Sequence, residues 1–344
     1  MNINGAPNVV SSLMHEYGEA THTALNRYLP RKEPGRFLYD LVADYPRRGG
    51  KMMRPSLCIA AARIFGAQIE DALETAVAIE LLHNALLIHD DIEDGSEKRR
   101  GEPTLHMLHG VPLAINAGDA LTLMALEPLL HNRYTLGEQL ALRIIEETQR
   151  MARACAEGQA MELGWCRYNV LDIGDADYLD MVLKKTCWLA TIYPLRVGAL
   201  IGSRGSVDLE PFVRFGFFLG AAFQIQDDLL NLVADERYGK ELNGDLCEGK
   251  RTLMLIDAFR RSTDEERDCA TRILALPRER RTTEDVCWLR TLIHKYESVE
   301  YARRIANELA GAALHEFSLL SAELRDSREK AFLERMPSWV IERQ

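Results

Sequence analysis

A short stretch after an apolar run, HDDIEDGSEKRRGEPT, carries side chains whose types and spacing could do chemistry. On a helix, Asp90 and Asp94 share one face a turn apart, and Asp91 lies beside them. Carboxylates this close repel one another unless a cation lies between them, and oxygen-only ligands favour Mg²⁺, at metal–oxygen distances of about 2.1 Å. Because Mg²⁺ is usually shared with phosphate oxygens, the cluster predicts a phosphorylated substrate. For this stretch alone, a solvated acidic helix end is an equal alternative.

A second pair of aspartates follows another apolar helical run. Asp227 and Asp228, with Gln224 and Asn231 one turn to either side, interrupt the otherwise apolar segment 215–233. An unpaired carboxylate buried in such a segment is costly, which favours a bound cation here as well. Two such sites would hold several metal ions between them if their helices faced each other across a cavity. Their separation along the chain cannot show whether they do.

Basic residues elsewhere in the chain could hold the phosphate groups of such a substrate. They stand close to glycines, to threonine or to the acidic clusters: Lys51, Arg54, Lys98, Arg99, Arg100, Lys184, Lys185, Lys240 and Lys250. Arginine forks and lysine point charges are the usual phosphate ligands, and Gly49, Gly50 and Gly249 would let the backbone approach an anion closely. Taken one at a time, each basic residue is more typical of solvated surface.

The elements that must position these residues are helical along nearly the whole chain. Segments 178–202 and 299–324 are long, rich in Ala and Leu, and free of the alternation that marks strands. Breaks that carry Gly, Pro or clustered charge are short: 31–35, 46–50, 95–103, 110–112, 202–205 and 238–250. None is long enough to be a linker, so residues 1–344 are predicted to form a single all-α domain of roughly a dozen helices.

The composition excludes several classes of protein. A net charge of -10 over 344 residues argues against a nucleic-acid partner, which needs a basic face. Seven cysteines without a C-x-x-C pair favour reduced thiols over a disulfide framework or a zinc site. The amino end lacks the features of a secretory signal, and the most apolar run, 76–88, is too short to span a bilayer. We therefore expect a cytoplasmic protein without a transmembrane segment.

Taken in chain order, the motifs resemble those of one known family. The set G-G-K-x-x-R-P, D-D-x-x-D with R-R-G-x-P-T, K-T, F-Q-x-x-D-D and a trailing G-K runs from Gly49 to Lys250. This set resembles the all-trans isoprenyl diphosphate synthases, or polyprenyl synthetases, and V-I-E-R at 340–343 is also similar. The resemblance implies an all-α bundle around a deep central cavity, usually built as a homodimer. It also implies that the two aspartate-rich motifs face each other at the cavity mouth.

The resemblance assigns a role to each matching residue. Several Mg²⁺ ions would be bound by five carboxylates: Asp90, Asp91, Asp94, Asp227 and Asp228. The allylic diphosphate would be held by Arg99, Lys185, Lys240 and Lys250, with Thr186 and Gln224 beside the developing cation. These residues and the metal ligands, except Lys250 and Asp228, would form the catalytic set. Isopentenyl diphosphate would be held by Lys51, Arg54, His83 and Arg100. For His83, the alternative is a core histidine whose hydrogen bonds are satisfied within the fold.

The implied reaction is a head-to-tail condensation of two diphosphates. Fixed metal ions and cations neutralise the leaving diphosphate, so that the allylic carbon–oxygen bond breaks to a delocalised cation in a water-poor cavity. The double bond of isopentenyl diphosphate attacks that cation and a proton is lost. The chain therefore grows by one isoprene unit without a protein nucleophile.

The residues before the first aspartate bear on product length. In the family, the positions four and five residues before it help to form the pocket floor, and here they are Leu86 and Ala85. Neither is aromatic, which favours geranylgeranyl diphosphate over farnesyl diphosphate or a longer chain.

One residue departs from the family pattern, and two other functions share some of these features. Asn231 stands where many members have Asp, which puts only the metal contribution of that position in question. A class I terpene cyclase would leave the isopentenyl-binding set unexplained. A non-catalytic partner subunit would be expected to have eroded aspartate motifs, and these are intact.

Overall fold

The computed structural model of the chain describes residues 8–233 and 243–343, which form seventeen α-helices and one two-stranded hairpin. The helices are α1 (Val9–Leu25), α2 (Asp40–Arg47), α3 (Met53–Arg63), α4 (Ile69–Glu93), α5 (Leu105–His109), α6 (Val111–Met124), α7 (Leu126–Thr135), α8 (Glu138–Arg167), α9 (Asp175–Val182), α10 (Tyr193–Gly202), α11 (Glu210–Val233), α12 (Gly244–Glu248), α13 (Leu253–Arg261), α14 (Asp264–Leu274), α15 (Thr283–Lys295), α16 (Ser298–Leu320) and α17 (Arg328–Glu342). A π-helical segment (Leu183–Ile192) joins α9 to α10, and a shorter one (Gly35–Tyr39) leads into α2. The strands are β1 (Lys98–Arg99) and β2 (Glu102–Pro103). The predicted all-α fold is confirmed, with more helices than expected because short ones such as α12 fall inside breaks assigned to loops.

Helix α4 carries the first aspartate motif at its carboxyl end. It packs against α3, α6 and α7, and its residues are buried on most sides. At its start, the Asp71 carboxylate accepts the backbone N–H of Gln68 at 2.9 Å, which satisfies a donor at the helix end. The helix ends at Glu93, and Gly95 then adopts a φ of +64°, a left-handed conformation that glycine reaches without strain. The carboxylates therefore stand at the end of a buried helix.

Helix α11 carries the second motif and is also largely buried. It packs against α16, α17 and the π-helical segment 183–192. Where the described chain resumes, the backbone N–H of Asn243 donates to the carbonyl of Asn231 at 3.0 Å. This bond ties the segment that follows α11 to the helix itself.

A close crossing between α8 and the segment 183–192 fixes two charged residues. A Cβ on Gly158 would lie 2.2 Å from the backbone nitrogen of Lys185, so only glycine permits this approach. One turn further along α8, the carboxylate of Glu162 contacts the Lys185 ammonium. The missing side chain at Gly158 therefore sets the position of a lysine that belongs to the K-T motif.

The buried apolar residues form two clusters that touch. One lies among α1, α3, α4, α6 and α10, and the other among α9, α11, α13, α15 and α16. Trp188, Leu309 and Ile341 pack against both clusters. A single domain spanning residues 1–344 stays a prediction.

Two helical runs within the described residues reach the length and hydropathy of a membrane span, Ile69–Glu93 and Val111–Thr135. In the first run 67% of the apolar window is buried inside the protein, whereas in the second the share is 39%. The first is therefore a core helix. The second keeps an exposed apolar face on α6 and α7, formed by Val111, Ile115, Leu123, Leu126 and Leu130.

Candidate active site

One cavity of about 540 Å³ brings the two aspartate motifs together. Its walls come from α4, α8, the segment 183–192 and α11, with residues between 244 and 252 along one side. Asp90, Asp94, Asp227 and Asp228 all line it. Two motifs that are far apart in the sequence therefore share one space.

Cations of the chain itself neutralise the first motif. Lys185 Nζ lies 3.3 Å from Asp90 Oδ1, and Arg99 Nη2 lies 3.5 Å from Asp90 Oδ2. Asp94 pairs with Lys250, whose Nζ is 2.6 Å from Oδ2. Cations of the chain therefore lie beside these carboxylates, and the metal ligation predicted for them stays a prediction.

Burial and these charges push the pKa values of Asp90 and Asp94 apart. Burial by itself raises a carboxyl pKa, because it disfavours the charged form. Against that effect, Lys185 and Lys250 hold the pKa of Asp90 well below its usual range. For Asp94, burial and the nearby carboxylates of Asp90 and Glu248 outweigh Lys250 and raise the pKa to about 8. Asp90 is therefore the more readily ionised of the two, and Asp94 depends on its close contact with the Lys250 ammonium to hold a charge.

Asp91 does not line the cavity. Its side chain is 1% exposed, accepts the Tyr45 hydroxyl at 2.5 Å and forms a two-pronged ion pair with Arg99. Its carboxylate points to Tyr45 and Arg99 instead of into the cavity that Asp90 and Asp94 line. The structure does not bring it together with the other predicted metal ligands.

In the second motif, Asp228 is held by neutral partners. It accepts the Tyr178 hydroxyl at 2.8 Å and the Gln224 amide at 2.7 Å. The Thr186 hydroxyl donates to the Gln224 oxygen at 2.7 Å, so three predicted site residues form one hydrogen-bonded chain. Burial and the carboxylate of Asp245 raise the pKa of Asp228 to about 8.

Asp227 and Asn231 have partners from elsewhere in the fold. The Arg343 guanidinium lies 2.7 Å from Asp227 and 4.1 Å from the centre of the Phe223 ring. Asn231 Oδ1 accepts the backbone N–H of Asp245 at 3.2 Å, so its amide oxygen already has a structural use. The V-I-E-R segment therefore reaches the second aspartate motif.

The donor atoms suit Mg²⁺, but they are not gathered around one point. Across residues 8–233 and 243–343, no three carboxylate, imidazole or thiol groups lie close enough together to hold a metal ion. The carboxylates that line the cavity are nonetheless hard, oxygen-only donors, which is the chemistry that Mg²⁺ requires. The lysine and arginine side chains that pair with them carry further N–H donors that an anionic ligand can accept.

Two of the basic residues predicted for isopentenyl diphosphate, Arg54 and His83, line the same cavity. Arg54 Nε and His83 Nδ1 are buried and, within the described part of the chain, have no hydrogen-bond partner. Such atoms are rare and mark places where a ligand or water completes the bonding. Burial and the charge of Arg54 lower the pKa of His83 to about 4, so the imidazole is neutral at pH 7. The nearest acidic atom to Nδ1 is Glu80 Oε2 at 3.6 Å, beyond hydrogen-bond distance, and the ligand role of His83 stays a prediction.

The other two, Lys51 and Arg100, are not among the residues that line this cavity. Arg100 donates to the carbonyl of Tyr45 at 2.9 Å, and a Cβ on Gly50 would lie 3.0 Å from its Nη2. Lys51 lines a separate groove of about 500 Å³, with its ammonium 5.9 Å from the ring of Trp339. The G-G-K and R-R-G motifs therefore meet at Gly50.

The two residues predicted to set product length face different ways. Leu86 lines the cavity and is 37% exposed, whereas Ala85 is completely buried in the core. The cavity face of α4 carries His83, Leu86, Leu87 and Asp90, and Ala85 lies about 100° round the helix. The expectation that Ala85 projects into the channel is therefore corrected, because Ala85 is buried in the core and does not line the cavity, whereas its neighbours Leu86 and Leu87 both do.

Sequence reasoning missed the acidic residues that hold the two cavity lysines. Glu162 contacts the lysine of the K-T motif, and Glu248 lies 2.8 Å from the lysine of the last G-K. No motif marks either position. Glu80 is a charged residue within the apolar run 76–88, but its sequence position does not indicate a function. In the structure its carboxylate lies 3.6 Å from the His83 imidazole. Lys240, predicted for the allylic diphosphate, lies outside the described residues.

Comparison with known sequences agrees with this geometry. The chain matches the family model described as "Polyprenyl synthetase" over residues 36–292. It is 35% identical over 297 residues to the short chain isoprenyl diphosphate synthase of Methanothermobacter thermautotrophicus, covering 86% of this chain and 87% of that protein.

Comparison with solved structures gives the same answer. The geranylgeranyl pyrophosphate synthetase of Pyrococcus horikoshii superposes with a TM-score of 0.83 at 30% identity, covering 97% of this chain and 99% of that one. The polyprenyl synthase of Caulobacter crescentus, complexed with calcium and isoprenyl diphosphate, superposes with a TM-score of 0.83 at 27% identity over 99% of each chain. The chain belongs to the polyprenyl synthetase family, the trans-prenyltransferases that its motifs resemble.

Proposed function

We propose that this protein condenses isopentenyl diphosphate with an allylic diphosphate and that its main product is geranylgeranyl diphosphate. One observation carries the proposal. A single cavity holds carboxylates with adjoining cations and also the buried, unpartnered donor atoms of Arg54 and His83, judged over the described residues. A reaction between two diphosphates needs two anion sites in one cavity, whereas a cyclase needs only one.

The allylic diphosphate would bind between the two aspartate motifs. The Mg²⁺ ligands would be the four aspartates of the two motifs that line the cavity: Asp90, Asp94, Asp227 and Asp228. When bound, the metal ions neutralise the charge of the leaving diphosphate. Arg99, Lys185 and Lys250, which lie beside Asp90 and Asp94, would donate to diphosphate oxygens. Lys240, outside the described residues, is proposed for the same role from its motif alone. The Caulobacter crescentus relative, solved with calcium and isoprenyl diphosphate, supports this assignment.

Isopentenyl diphosphate would bind to the remaining basic residues. Arg54 has a buried N–H available, and a neutral His83 can donate one hydrogen bond through its ring. Lys51 and Arg100 lie on the two motifs that meet at Gly50 and would supply the remaining charge. The homoallylic substrate would then sit apart from the metal-binding carboxylates.

The residues of the chain would stabilise separated charge rather than attack the substrate. Fixed guanidinium and ammonium groups beside the diphosphate stabilise it as the carbon–oxygen bond breaks. Thr186 and Gln224, held to each other and to Asp228, would present oxygen dipoles to the developing cation. Apolar wall residues such as Leu86 and Leu189 would keep water from that cation. The proton lost after condensation would go to the departed diphosphate.

Two observations support geranylgeranyl diphosphate as the product. The cavity wall on α8 is built from small side chains, Ala152, Ala156 and Ala160, and the facing position on α4 is Leu86 rather than an aromatic residue. The Pyrococcus horikoshii relative carries the name geranylgeranyl pyrophosphate synthetase. Farnesyl diphosphate and longer chains are the nearest alternatives.

We also propose that the protein acts as a homodimer. The exposed apolar residues of α6 and α7 form one surface, and an apolar surface of this kind on a water-soluble monomer marks an interaction site. A second copy of the chain would cover it. A cytoplasmic location stays a prediction.

Product analysis tests the proposed function. Purified protein would be incubated with isopentenyl diphosphate, Mg²⁺ and one allylic starter, either dimethylallyl, geranyl or farnesyl diphosphate, and the dephosphorylated products separated by chromatography. We expect all-trans alcohols that end at geranylgeraniol. A cyclic hydrocarbon made from the allylic substrate alone would indicate a terpene cyclase. No turnover with any starter would indicate a non-catalytic subunit, and either result would reject the proposal.

A further inference from the structure

A buried tyrosine outside the recognised motifs connects the two arginines of R-R-G. Tyr45 lies in α2 and is 1% exposed. Its hydroxyl donates to Asp91 at 2.5 Å, and its backbone carbonyl accepts Arg100 Nη1 at 2.9 Å. Asp91 in turn holds Arg99 through Nε at 2.9 Å and through Nη2. One residue therefore fixes, through two different atoms, the two arginines assigned to the two diphosphates.

The contact with Asp91 sets the direction of the Arg99 side chain. The carboxylate takes the edge formed by Nε and Nη2, which leaves the Nη1 edge outside this fork. Arg99 lines the cavity, and its Nη2 also lies 3.5 Å from Asp90. A planar guanidinium clamped along one edge presents its other N–H groups in a fixed direction, which lowers the entropy lost when an anion binds.

The hairpin that carries these arginines cannot supply such order alone. Its strands pair over only two residues each, Lys98 with Pro103 and Arg99 with Glu102. The turn residues Arg100 and Gly101 both have positive φ, as two-residue hairpin turns require. An isolated two-stranded hairpin is marginally stable in water. The order must therefore come from packing against α2.

Helix α2 holds the hairpin at a second point as well. Arg48 donates to the carbonyl of Arg99 at 3.0 Å and to that of Pro103 at 2.9 Å. Its guanidinium lies 4.8 Å from the centre of the Tyr45 ring. These bonds fix the hairpin backbone, whereas only the Tyr45 hydroxyl acts through Asp91 on the Arg99 side chain.

We propose that Tyr45 is a positioning residue for the allylic diphosphate, acting through Asp91 on Arg99. The inference rests on the proposed function. It gives Asp91 a role different from the metal ligation suggested by D-D-x-x-D spacing, because Asp91 faces away from the cavity and its oxygens bond Tyr45 and Arg99. Arg100 uses the backbone carbonyl of Tyr45, so loss of the hydroxyl should affect one substrate and spare the other.

The variant Tyr45→Phe tests this directly, because it removes the hydroxyl and keeps the backbone carbonyl. We expect the KM for the allylic diphosphate to rise about tenfold, the size expected for one hydrogen bond to a charged group. The KM for isopentenyl diphosphate and the Mg²⁺ concentration for half-maximal activity should stay within about twofold of the wild-type values. Calorimetric binding of a non-cleavable allylic thiodiphosphate should weaken by the same factor as the allylic KM rises.

The chain offers a matched control. Tyr17 is also buried and donates its hydroxyl to Glu329 at 2.8 Å, and Glu329 pairs with Arg63 at 2.8 Å. This is the same tyrosine–carboxylate–arginine arrangement, and none of its three residues lines the cavity. Tyr17→Phe should lower the melting temperature much as Tyr45→Phe does, without changing either KM.

The possible outcomes separate the two proposals. An absence of condensation by the wild-type protein rejects the proposed function. With an active wild type, unchanged KM values in Tyr45→Phe, or an equal rise for both substrates, overturn the positioning role. If Tyr45→Phe is too unstable to assay, Asp91→Asn decides. A higher allylic KM at an unchanged Mg²⁺ requirement supports the inference, and a shifted Mg²⁺ requirement overturns it.

Discussion

Replacing Leu86 with Phe tests whether the cavity face of α4 limits product length. Leu86 lies four residues before Asp90, which is about 6 Å along the helix axis at ~1.5 Å per residue. With the allylic diphosphate held at Asp90, the growing chain would pass Leu86 on its way along the wall. A ring at this position should shorten the product from geranylgeranyl towards farnesyl or geranyl diphosphate.

The size of the effect follows from the cost of overpacking. Forcing extra volume into a filled site costs about 1–3 kcal/mol. If that cost falls on the last elongation step, the step slows by about fivefold to more than a hundredfold, since about 1.4 kcal/mol is a factor of ten in rate. Such a change is large enough to make the shorter product dominant while the first condensation continues.

The neighbouring position supplies the control, because Ala85→Phe adds the same ring to the core-facing side of α4. At that position the overpacking cost of about 1–3 kcal/mol should destabilise the folded state. The melting temperature should then fall by several degrees, and product length should not change. Product chromatography and thermal unfolding of the two variants should be measured together. An unchanged product from an active Leu86→Phe enzyme, or shortening by Ala85→Phe alone, would refute the assignment of the cavity face.

Three further outcomes are expected. Lys51→Ala and Arg100→Ala should each raise the KM for isopentenyl diphosphate about tenfold to a hundredfold, since a charged hydrogen bond contributes about 1.5–3 kcal/mol. The KM for the allylic substrate should rise less. Equal effects on the two KM values in steady-state kinetics would contradict two separate sites. The pKa of His83 is about 4 in the folded protein, below its value in the unfolded chain. Between these two pKa values the unfolded chain binds a proton at His83 that the folded protein does not. The free energy of unfolding should therefore decrease as pH falls from about 6.5 to 4. Denaturant unfolding at pH 7.5 and 5 should show a smaller loss for His83→Gln than for wild type, and an equal loss would show that His83 is not the group responsible. If the proposed homodimer forms through the exposed apolar face of α6, Leu123→Glu should be a monomer in size-exclusion chromatography with light scattering, because it puts a charge on that face. A wild-type dimer that persists in the variant would move the interface elsewhere.

Helical spacing predicted that Asp90 and Asp94 lie on one face, whereas the expectation that the two motifs face each other came from the family resemblance. Helical spacing could not predict their partners. Asp94 pairs with Lys250, and Lys185 with Glu162, across long stretches of chain that only the tertiary fold brings together. The role of Tyr45 could not be predicted for the same reason, because its contact with Asp91 depends on the tertiary fold and its helix carries no recognised motif.

Helical spacing identified the cavity face of α4 only in part. The residues of α4 that line the cavity are 83, 86, 87, 89, 90, 93 and 94. Ala85 lies four residues before His89, and Asp91 lies three before Asp94, so spacing alone excludes neither from that face. The structure excludes both, because they are buried and absent from the cavity lining. The family pattern treats both positions as parts of a motif, and so it conceals which side of the helix each occupies.

The Mg²⁺ dependence of condensation in the wild type and in Asp227→Ala is the most direct test of the account. Arg343→Gln is the matched control, because it breaks the same ion pair and leaves the carboxylate in place. We predict elongated product with Mg²⁺, none with EDTA, and none from Asp227→Ala despite a helical content like that of wild type, whereas Arg343→Gln should retain Mg²⁺-dependent turnover. Condensation at the wild-type rate in EDTA or by Asp227→Ala would contradict a metal-bound allylic diphosphate between the two aspartate motifs.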